Sequence, residues 1–102
     1  MDIAGLDIGT TQCKCAVFDE NGREKTRVSR DYAAREGLGA HETDARDLAD
    51  AVFSLLREAA SRCPDIGGIG VTSFGEAFVA ADEQGQPLCP VMRYTDPRGA
   101  EE

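Results

Sequence analysis

The stretch Leu6-Asp7-Ile8-Gly9-Thr10-Thr11-Gln12-Cys13-Lys14-Cys15-Ala16-Val17-Phe18-Asp19 decides the fold of this 102-residue chain. It predicts a strand that ends in a carboxylate, Asp7, then a polar turn over residues 9–12, then an apolar return strand from Cys13 to Phe18. Glycine lets backbone N–H groups approach a phosphate closely, the two threonine hydroxyls add donors, and Lys14 adds a positive charge. Asp7 repels phosphate, but it can hold a hydrated Mg²⁺ that accompanies a nucleotide. The stretch therefore predicts either a phosphate-binding β-hairpin or a hairpin whose Asp and Thr side chains only form the turn.

Two better-known glycine loops are absent from the sequence. It contains no G-x-x-x-x-G-K-[ST], and no G-x-G-x-x-G between a strand and a helix. Because a strand is predicted to follow Gly9, any phosphate would lie on a hairpin and not at a helix N-terminus.

Length, composition and charge limit the classes of protein to which the chain can belong. The length suits one small domain, and the core must be mainly aliphatic because the chain has no Trp and only six aromatic residues. The formal charge of −8, from 19 acidic and 11 basic residues, disfavours binding to nucleic acid or to anionic membranes. No membrane-length apolar run and no signal sequence after Met1 is visible, so a cytoplasmic location is predicted.

The four cysteines, at positions 13, 15, 63 and 89, predict neither a disulfide framework nor a zinc site. Cys13 and Cys15 would share one face of a strand, and no C-x-x-C or matching His pair occurs. We therefore expect buried free thiols. His41 stands alone, is predicted to lie in a loop, and is assigned no chemistry.

The rest of the first half predicts a third strand and a helix. After a hairpin turn at residues 20–22, the segment Glu24 to Tyr32 alternates loosely as a strand with one wet face, and a loop follows to Glu42. Thr43 or Asp44 can cap a helix that ends at Pro64. Its apolar residues recur every three or four positions and predict one packing face: Leu48, Ala51, Val52, Leu55, Leu56 and Ala59.

A second strand-rich part follows the helix. Ile66 to Thr72 is predicted to pair parallel with the first strand, since a helix of crossover length separates them. Ala77 to Ala81 is predicted to be a strand entering a turn at residues 82–85, and Pro87 to Val91 an extended edge segment. The order βββαβ, with further β segments, predicts an α/β fold in which a mixed sheet carries a helix on one face.

The first motif, D-x-G-T-T followed by an apolar strand ending at Asp19, resembles the first phosphate motif of the actin, Hsp70 and sugar-kinase superfamily. Three later pieces resemble the N-terminal part of FGGY-type carbohydrate kinases, the relatives of xylulokinase, gluconokinase, ribulokinase and glycerol kinase. They are Ile69-Gly70-Val71-Thr72-Ser73-Phe74-Gly75-Glu76, then Asp82-x-x-Gly85-x-Pro87-Leu88-x-Pro90-Val91, then Tyr94-x-Asp96-x-Arg98. The resemblance implies a ribonuclease-H-like fold, of which residues 1–102 would be the N-terminal, incomplete part of the first kinase domain.

The resemblance also implies ATP-dependent phosphorylation of a sugar or polyol hydroxyl. Asp7 would place Mg²⁺ through water, and Lys14 would lie near the transferred phosphoryl group. Glu76 and Asp96 would contact substrate, and Tyr94 would stack on its carbon skeleton, although Asp96 and Arg98 equally suit a pair that pins a loop. The residues that would border the phosphates are Gly9, Thr10, Thr11 and Gln12.

Two departures qualify this prediction. Phe74 and Gly75 stand where relatives often have polar residues, so the substrate class stays open. The general-base Asp, the second phosphate motif and the adenosine-binding half would all lie beyond Glu102. The sequence is therefore interpreted as a fragment that is inactive alone, and its uncovered strand edges predict self-association.

Two other classes of protein stay open at this point. A non-catalytic nucleotide-binding or regulatory module of the same superfamily would share the segment from Asp7 to Asp19, but is not expected to carry the two C-terminal pieces. A small structural domain without a ligand would need neither the segment from Asp7 to Asp19 nor the two C-terminal pieces.

Overall fold

Three antiparallel strands form the first part of the fold. The computed structural model describes residues 1–32, 42–75 and 77–92. The strands β1 (Asp2–Ile8), β2 (Gln12–Phe18) and β3 (Glu24–Asp31) pair in sequence order, with Asp7 opposite Lys14 and Cys15 opposite Val28. The turn from β2 to β3 has Gly22 at φ 79°, a conformation that suits glycine. The predicted meander is confirmed.

A short strand and a long helix come next. After β4 (Glu42–Thr43), the helix α1 spans Ala45–Arg62. The Asp44 side chain caps it by accepting a hydrogen bond from the Asp47 N–H at 2.9 Å. At the other end, the Cys63 N–H donates to the Ala59 carbonyl, and Pro64 follows. The helix therefore begins and ends where its sequence predicts.

The core lies between this helix and one face of the sheet. α1 packs on β2 and β3, and the alternate residues of the strands that face it are buried. Of the predicted helix stripe, three residues are buried and the other three pack against the core while partly buried. The buried core consists of Ala4, Leu6, Cys13, Cys15, Val17, Val28, Val52, Leu55, Ala59 and Cys63.

The last long strand makes the sheet mixed. β5 (Ile66–Ser73) pairs parallel with β1, so the strand order is β3-β2-β1-β5 and β1 has a partner on both sides. This parallel pairing confirms the prediction for residues 66–72. Because α1 lies over β2 and β3, Ile69 and Val71 on β5 stay exposed, with 52% and 62% of their surface accessible.

One strand prediction is wrong. Residues 77–81 do not form a continuous strand: Phe78 pairs with Met92, and Ala81 with Pro87, only as isolated bridges. In the described residues 77–92 the strand that does form is β6 (Val91–Met92), which pairs antiparallel with β4 in a separate small sheet. The apolar run at 77–81 lacks the long partner strand that its composition suggests, and Phe78 is 62% exposed.

The βββαβ order of the five long elements, the mixed sheet and the helix on one face confirm the predicted α/β class. Within residues 1–32, 42–75 and 77–92, no helix is long and apolar enough to cross a membrane. Most of the loop predicted before Glu42 lies outside the described residues, and His41 lies there too.

Candidate phosphate-binding turn

The turn between β1 and β2 is held tightly at its base. The Gly9 N–H donates to the Gln12 carbonyl at 2.9 Å, which closes the loop over Thr10 and Thr11. A Cβ atom added to Gly9 would lie 2.9 Å from that same carbonyl oxygen, a backbone atom that cannot yield cheaply. The closeness of the two backbones therefore explains why a glycine begins this turn.

Two opposite charges flank the base of the turn. Asp7 and Lys14 are paired positions on β1 and β2, and Thr72 on β5 pairs with Asp7 from the other side. Paired positions project from the same face of a sheet, so the three side chains form one polar row. Asp7 and Lys14 are both exposed, and within the described part of the chain they do not form an ion pair with each other. A carboxylate and an ammonium are thus both open to a ligand beside the turn.

The neighbouring row of the sheet carries almost no side chains. Gly5 pairs with Ala16 on one side and with Gly70 on the other. A Cβ atom added to Gly70 would meet nothing within 4 Å. An open depression of about 430 Å³ lies over this part of β1 and β5, lined by Gly5, Leu6, Asp7, Gly70, Val71 and Thr72. The small residues therefore leave room next to the Asp7 carboxylate.

Tyr32, which directly follows β3, also contacts the turn. Its hydroxyl donates to the Gly9 carbonyl at 2.8 Å, and its backbone N–H donates to the Thr11 carbonyl at 3.2 Å. The sequence predicts Tyr32 only as the end of a strand. The sole sequence signal was an aromatic residue where the third strand meets the loop, and nothing in it indicates a contact with residue 9.

The structure brings together the predicted nucleotide-binding set. Asp7 and Lys14 lie at the ends of β1 and β2, and the turn between them contains Gly9, Thr10, Thr11 and Gln12. The predicted substrate-binding residues lie outside the described residues, as does Arg98: they are Glu76, Tyr94 and Asp96.

The cysteines take no part in this turn. Cys13, Cys15 and Cys63 are buried free thiols, as predicted, and Cys89 is partly exposed. Burial raises the pKa of Cys13 and of Cys15, so both stay protonated at neutral pH. Among the described residues, no group of three or more His, Cys, Asp or Glu side chains is placed to hold a metal ion.

Known proteins with similar sequences are sugar and polyol kinases. Gluconokinase of Bacillus subtilis is 29% identical over 97 residues, which cover 92% of this chain and 19% of that protein. Glycerol kinase of Trichlorobacter lovleyi is 31% identical over 107 residues, covering 98% of this chain and 21% of that protein. The chain thus spans about a fifth of the length of the curated relatives it matches.

Solved structures with a similar fold also include a polyol kinase. The crystal structure of Plasmodium falciparum glycerol kinase with ADP superposes with a TM-score of 0.85 at 22% identity, covering 98% of this chain and 21% of that one. This similarity supports the predicted ribonuclease-H-like fold of the sugar kinases, of which the chain holds a part. Residues 3–102 match the N-terminal domain of one family over nearly the whole chain. The chain belongs to the FGGY family of carbohydrate kinases.

Proposed function

We propose that the full-length protein containing this chain transfers the γ-phosphoryl group of ATP to a hydroxyl of a sugar or polyol. The observation that carries the proposal is the pairing of exposed Asp7 and Lys14 at the base of a tight Gly-Thr-Thr turn. Family membership and the kinase relatives support the reaction class. The glycerol kinase with the same fold, whose structure contains ADP, supports an adenine nucleotide as donor.

The residues of the turn suit the phosphates. Phosphoryl transfer depends mainly on holding the donor and acceptor in line and on neutralising charge on the phosphate oxygens. Gly9, Thr10, Thr11 and Gln12 would border the phosphates: the side chains of Thr10, Thr11 and Gln12 would supply donors, and Gly9, whose own N–H is bound to the Gln12 carbonyl, would let the backbone approach closely. The Lys14 ammonium would approach the transferred group, where its positive charge is most useful.

Asp7 suits magnesium held mostly by water and phosphate oxygens. Mg²⁺ is often bound in kinases through only one or two carboxylates together with the substrate phosphates. Asp7 is exposed, lies beside the turn, and borders the depression over β1 and β5, so one carboxylate with room around it is available. When bound, the metal would neutralise phosphate charge; Asp7 would orient its water ligands.

The acceptor side of the reaction rests on the family resemblance. Glu76 and Asp96 would accept hydrogen bonds from substrate hydroxyls, and Tyr94 would stack on the carbon skeleton. In the transfer, the bond from the γ-phosphorus to the bridging oxygen of ADP breaks, and a bond to the substrate oxygen forms. The hydroxyl proton would pass to a general-base Asp that we expect beyond residue 102. Residues 1–102 would therefore supply the N-terminal part of the first kinase domain.

We further propose a cytoplasmic protein without affinity for nucleic acid or membranes, as the charge of −8 favours.

The isolated 102-residue chain should self-associate through the edge of β5, where Ile69 and Val71 are exposed. Sedimentation velocity at rising concentration should show larger species for the wild type and fewer for Val71→Lys. A concentration-independent monomer contradicts this proposal.

The reaction is tested on the purified full-length protein with Mg-ATP and a panel of sugars and polyols. One of them should drive ADP release. Asp7→Asn keeps the size of the side chain but removes its charge, and it should lower kcat/KM by roughly 100-fold or more. The matched control is Asp50→Asn, an exposed carboxylate on α1 away from the turn, which should retain activity. No turnover with any substrate, or equal activity of both variants, overturns the proposal.

A further inference from the structure

Tyr32 lies outside the turn and donates hydrogen bonds to two backbone carbonyl groups of the turn. Tyr32 donates from its hydroxyl to the Gly9 carbonyl at 2.8 Å and from its backbone N–H to the Thr11 carbonyl at 3.2 Å. The Gln12 carbonyl is bound within the turn by the Gly9 N–H. The carbonyl groups of Gly9, Thr11 and Gln12 thus all have partners supplied by the protein.

Fixing a carbonyl also fixes the N–H in the same peptide unit. In a trans peptide the carbonyl of one residue and the N–H of the next point in opposite directions. None of the described peptide bonds is cis. Because the Gly9 carbonyl points to the Tyr32 hydroxyl, the Thr10 N–H points away from Tyr32. The hydroxyl therefore sets the direction of a backbone dipole in the turn.

The surroundings of Tyr32 favour this donor role. The ring packs against the buried core while it is itself half-buried, so the hydroxyl has a defined position. The pKa of Tyr32 is raised to about 12, mainly by burial and to a smaller extent by the neighbouring Cys13 and Asp7. The phenol consequently keeps its proton throughout the neutral range and can always donate it to the Gly9 carbonyl.

We propose that Tyr32 is a positioning residue for the phosphates of the nucleotide. Its hydroxyl holds the Gly9–Thr10 peptide unit in the orientation in which the turn binds them. This inference rests on the proposed function, because it assumes that the turn binds a phosphate-bearing nucleotide. Tyr32 itself does not touch the nucleotide and acts through the turn.

The test compares two ligands on the full-length protein, Mg-ADP and adenosine, by isothermal titration calorimetry. Tyr32→Phe keeps the ring and loses only the hydroxyl. We expect it to weaken Mg-ADP roughly five- to tenfold, the effect of losing one hydrogen bond, and to change adenosine binding less than about twofold. The control is Thr26→Val, which removes the hydroxyl that accepts from Arg62 at 3.1 Å at the far end of β3. It should leave both affinities unchanged.

Different failures have different meanings. Equal binding of Mg-ADP by Tyr32→Phe and wild type overturns the role of Tyr32 while the proposed function stands. Parallel weakening of Mg-ADP and adenosine also overturns it, because Tyr32 would then only support the fold. A wild-type protein that binds Mg-ADP no more tightly than adenosine overturns the proposed phosphate site, and the inference with it.

Two further variants distinguish the effect of the hydrogen bond from the effect of ring packing. They test the role of the Tyr32 hydroxyl even if Tyr32→Phe folds poorly. Replacement of Tyr32 by 4-aminophenylalanine keeps a donor at the same ring position, whereas 4-fluorophenylalanine fills that position without a donor. The amino variant should bind Mg-ADP nearly as wild type does, and the fluoro variant should resemble Tyr32→Phe. Equal affinities of these two variants contradict the proposal.

Discussion

Glu58 on α1 accepts a hydrogen bond from Arg30 on β3, with 2.7 Å between the carboxylate oxygen and the guanidinium nitrogen. Each of the two side chains is about one third exposed. Arg62, one helical turn further along α1, approaches the other carboxylate oxygen at 3.1 Å. The pair joins the helix to the outer strand of the meander. The hydrogen bond from Arg30 holds the pKa of Glu58 below its usual 4.5, and the charges of Arg30 and Arg62 add to the effect.

This pKa predicts how the stability of the chain depends on pH. The native pKa of Glu58 is lower than the unfolded value of 4.5, so its contribution is complete above pH 4.5 and is lost as pH falls through the native pKa. Glu58→Gln should therefore be less stable than wild type at pH 7, and the difference should shrink below pH 4.5. Urea unfolding of both proteins between pH 3 and 7 measures it. Glu83→Gln, in an exposed turn, is the control, and a constant difference for Glu58→Gln at all pH values contradicts the prediction.

The helix offers a direct test of the core. Leu55 is fully buried against the sheet, whereas Phe53 on the same helix is 59% exposed. We expect Leu55→Ala to cost about 2–5 kcal/mol in the free energy of unfolding, because it removes buried methyl groups and leaves a cavity. Phe53→Ala should change it by less than about 0.5 kcal/mol, although the residue removed is larger. Equal losses in urea unfolding would mean that the helix packs through a different face.

Two glycines should respond differently to the same substitution, because only one of them has a close neighbour where the new Cβ atom would lie. Gly9→Ala brings a Cβ atom to 2.9 Å from the Gln12 carbonyl oxygen, so the base of the turn must open at a cost of about 1 kcal/mol or more. Gly70→Ala meets nothing within 4 Å and restricts the unfolded chain, so stability should stay the same or rise by about 0.4–1 kcal/mol. Thermal unfolding of the two variants checks both signs. A turn that tolerates Ala at position 9 would argue against the tight closure described above.

Thiol reactivity should distinguish one cysteine from three. Cys89 is partly exposed, while Cys13, Cys15 and Cys63 are buried. The buried three should react with Ellman's reagent roughly 100-fold or more slowly than Cys89, the ratio that an opening free energy of about 3 kcal/mol gives. In urea all four thiols should react. Cys89→Ser should abolish the fast phase, and a second fast thiol in the native chain contradicts the burial of the core cysteines.

Most of the fold was predictable because its signals are local. The alternation around Cys13, Cys15 and Val17 identifies the buried face of β2, and the spacing of Leu55 and Ala59 identifies that of α1. The short strand β4 was missed, because its pairing with β6 joins residues far apart in the sequence and leaves no local pattern. Residues 77–81 were wrongly predicted to form a strand for the same reason, since their apolar composition does not reveal whether a partner strand exists.

In the candidate site, too, the residues of a local motif were predictable and a contact between distant residues was not. Asp7, Gly9 and Lys14 carry a recognisable motif with a chemical reason for each residue type. The hydrogen bond from Tyr32 to Gly9 spans 23 positions of the sequence. It depends on β3 lying next to β2, so it becomes visible only after the sheet has been assembled.

The central place of β1 in the sheet also orders the steps of folding. Its pairing with β2 needs only the short turn at residues 9–12, and β3 joins through a second hairpin, so the meander can form early. The pairing with β5 must wait until α1 has been synthesised, because the parallel register joins residues 2–8 to residues 66–73. On the ribosome, the turn with Gly9 would therefore form while one side of its supporting strand is still unpaired. Until β5 pairs, that edge of β1 presents unpaired backbone groups with which another strand could pair.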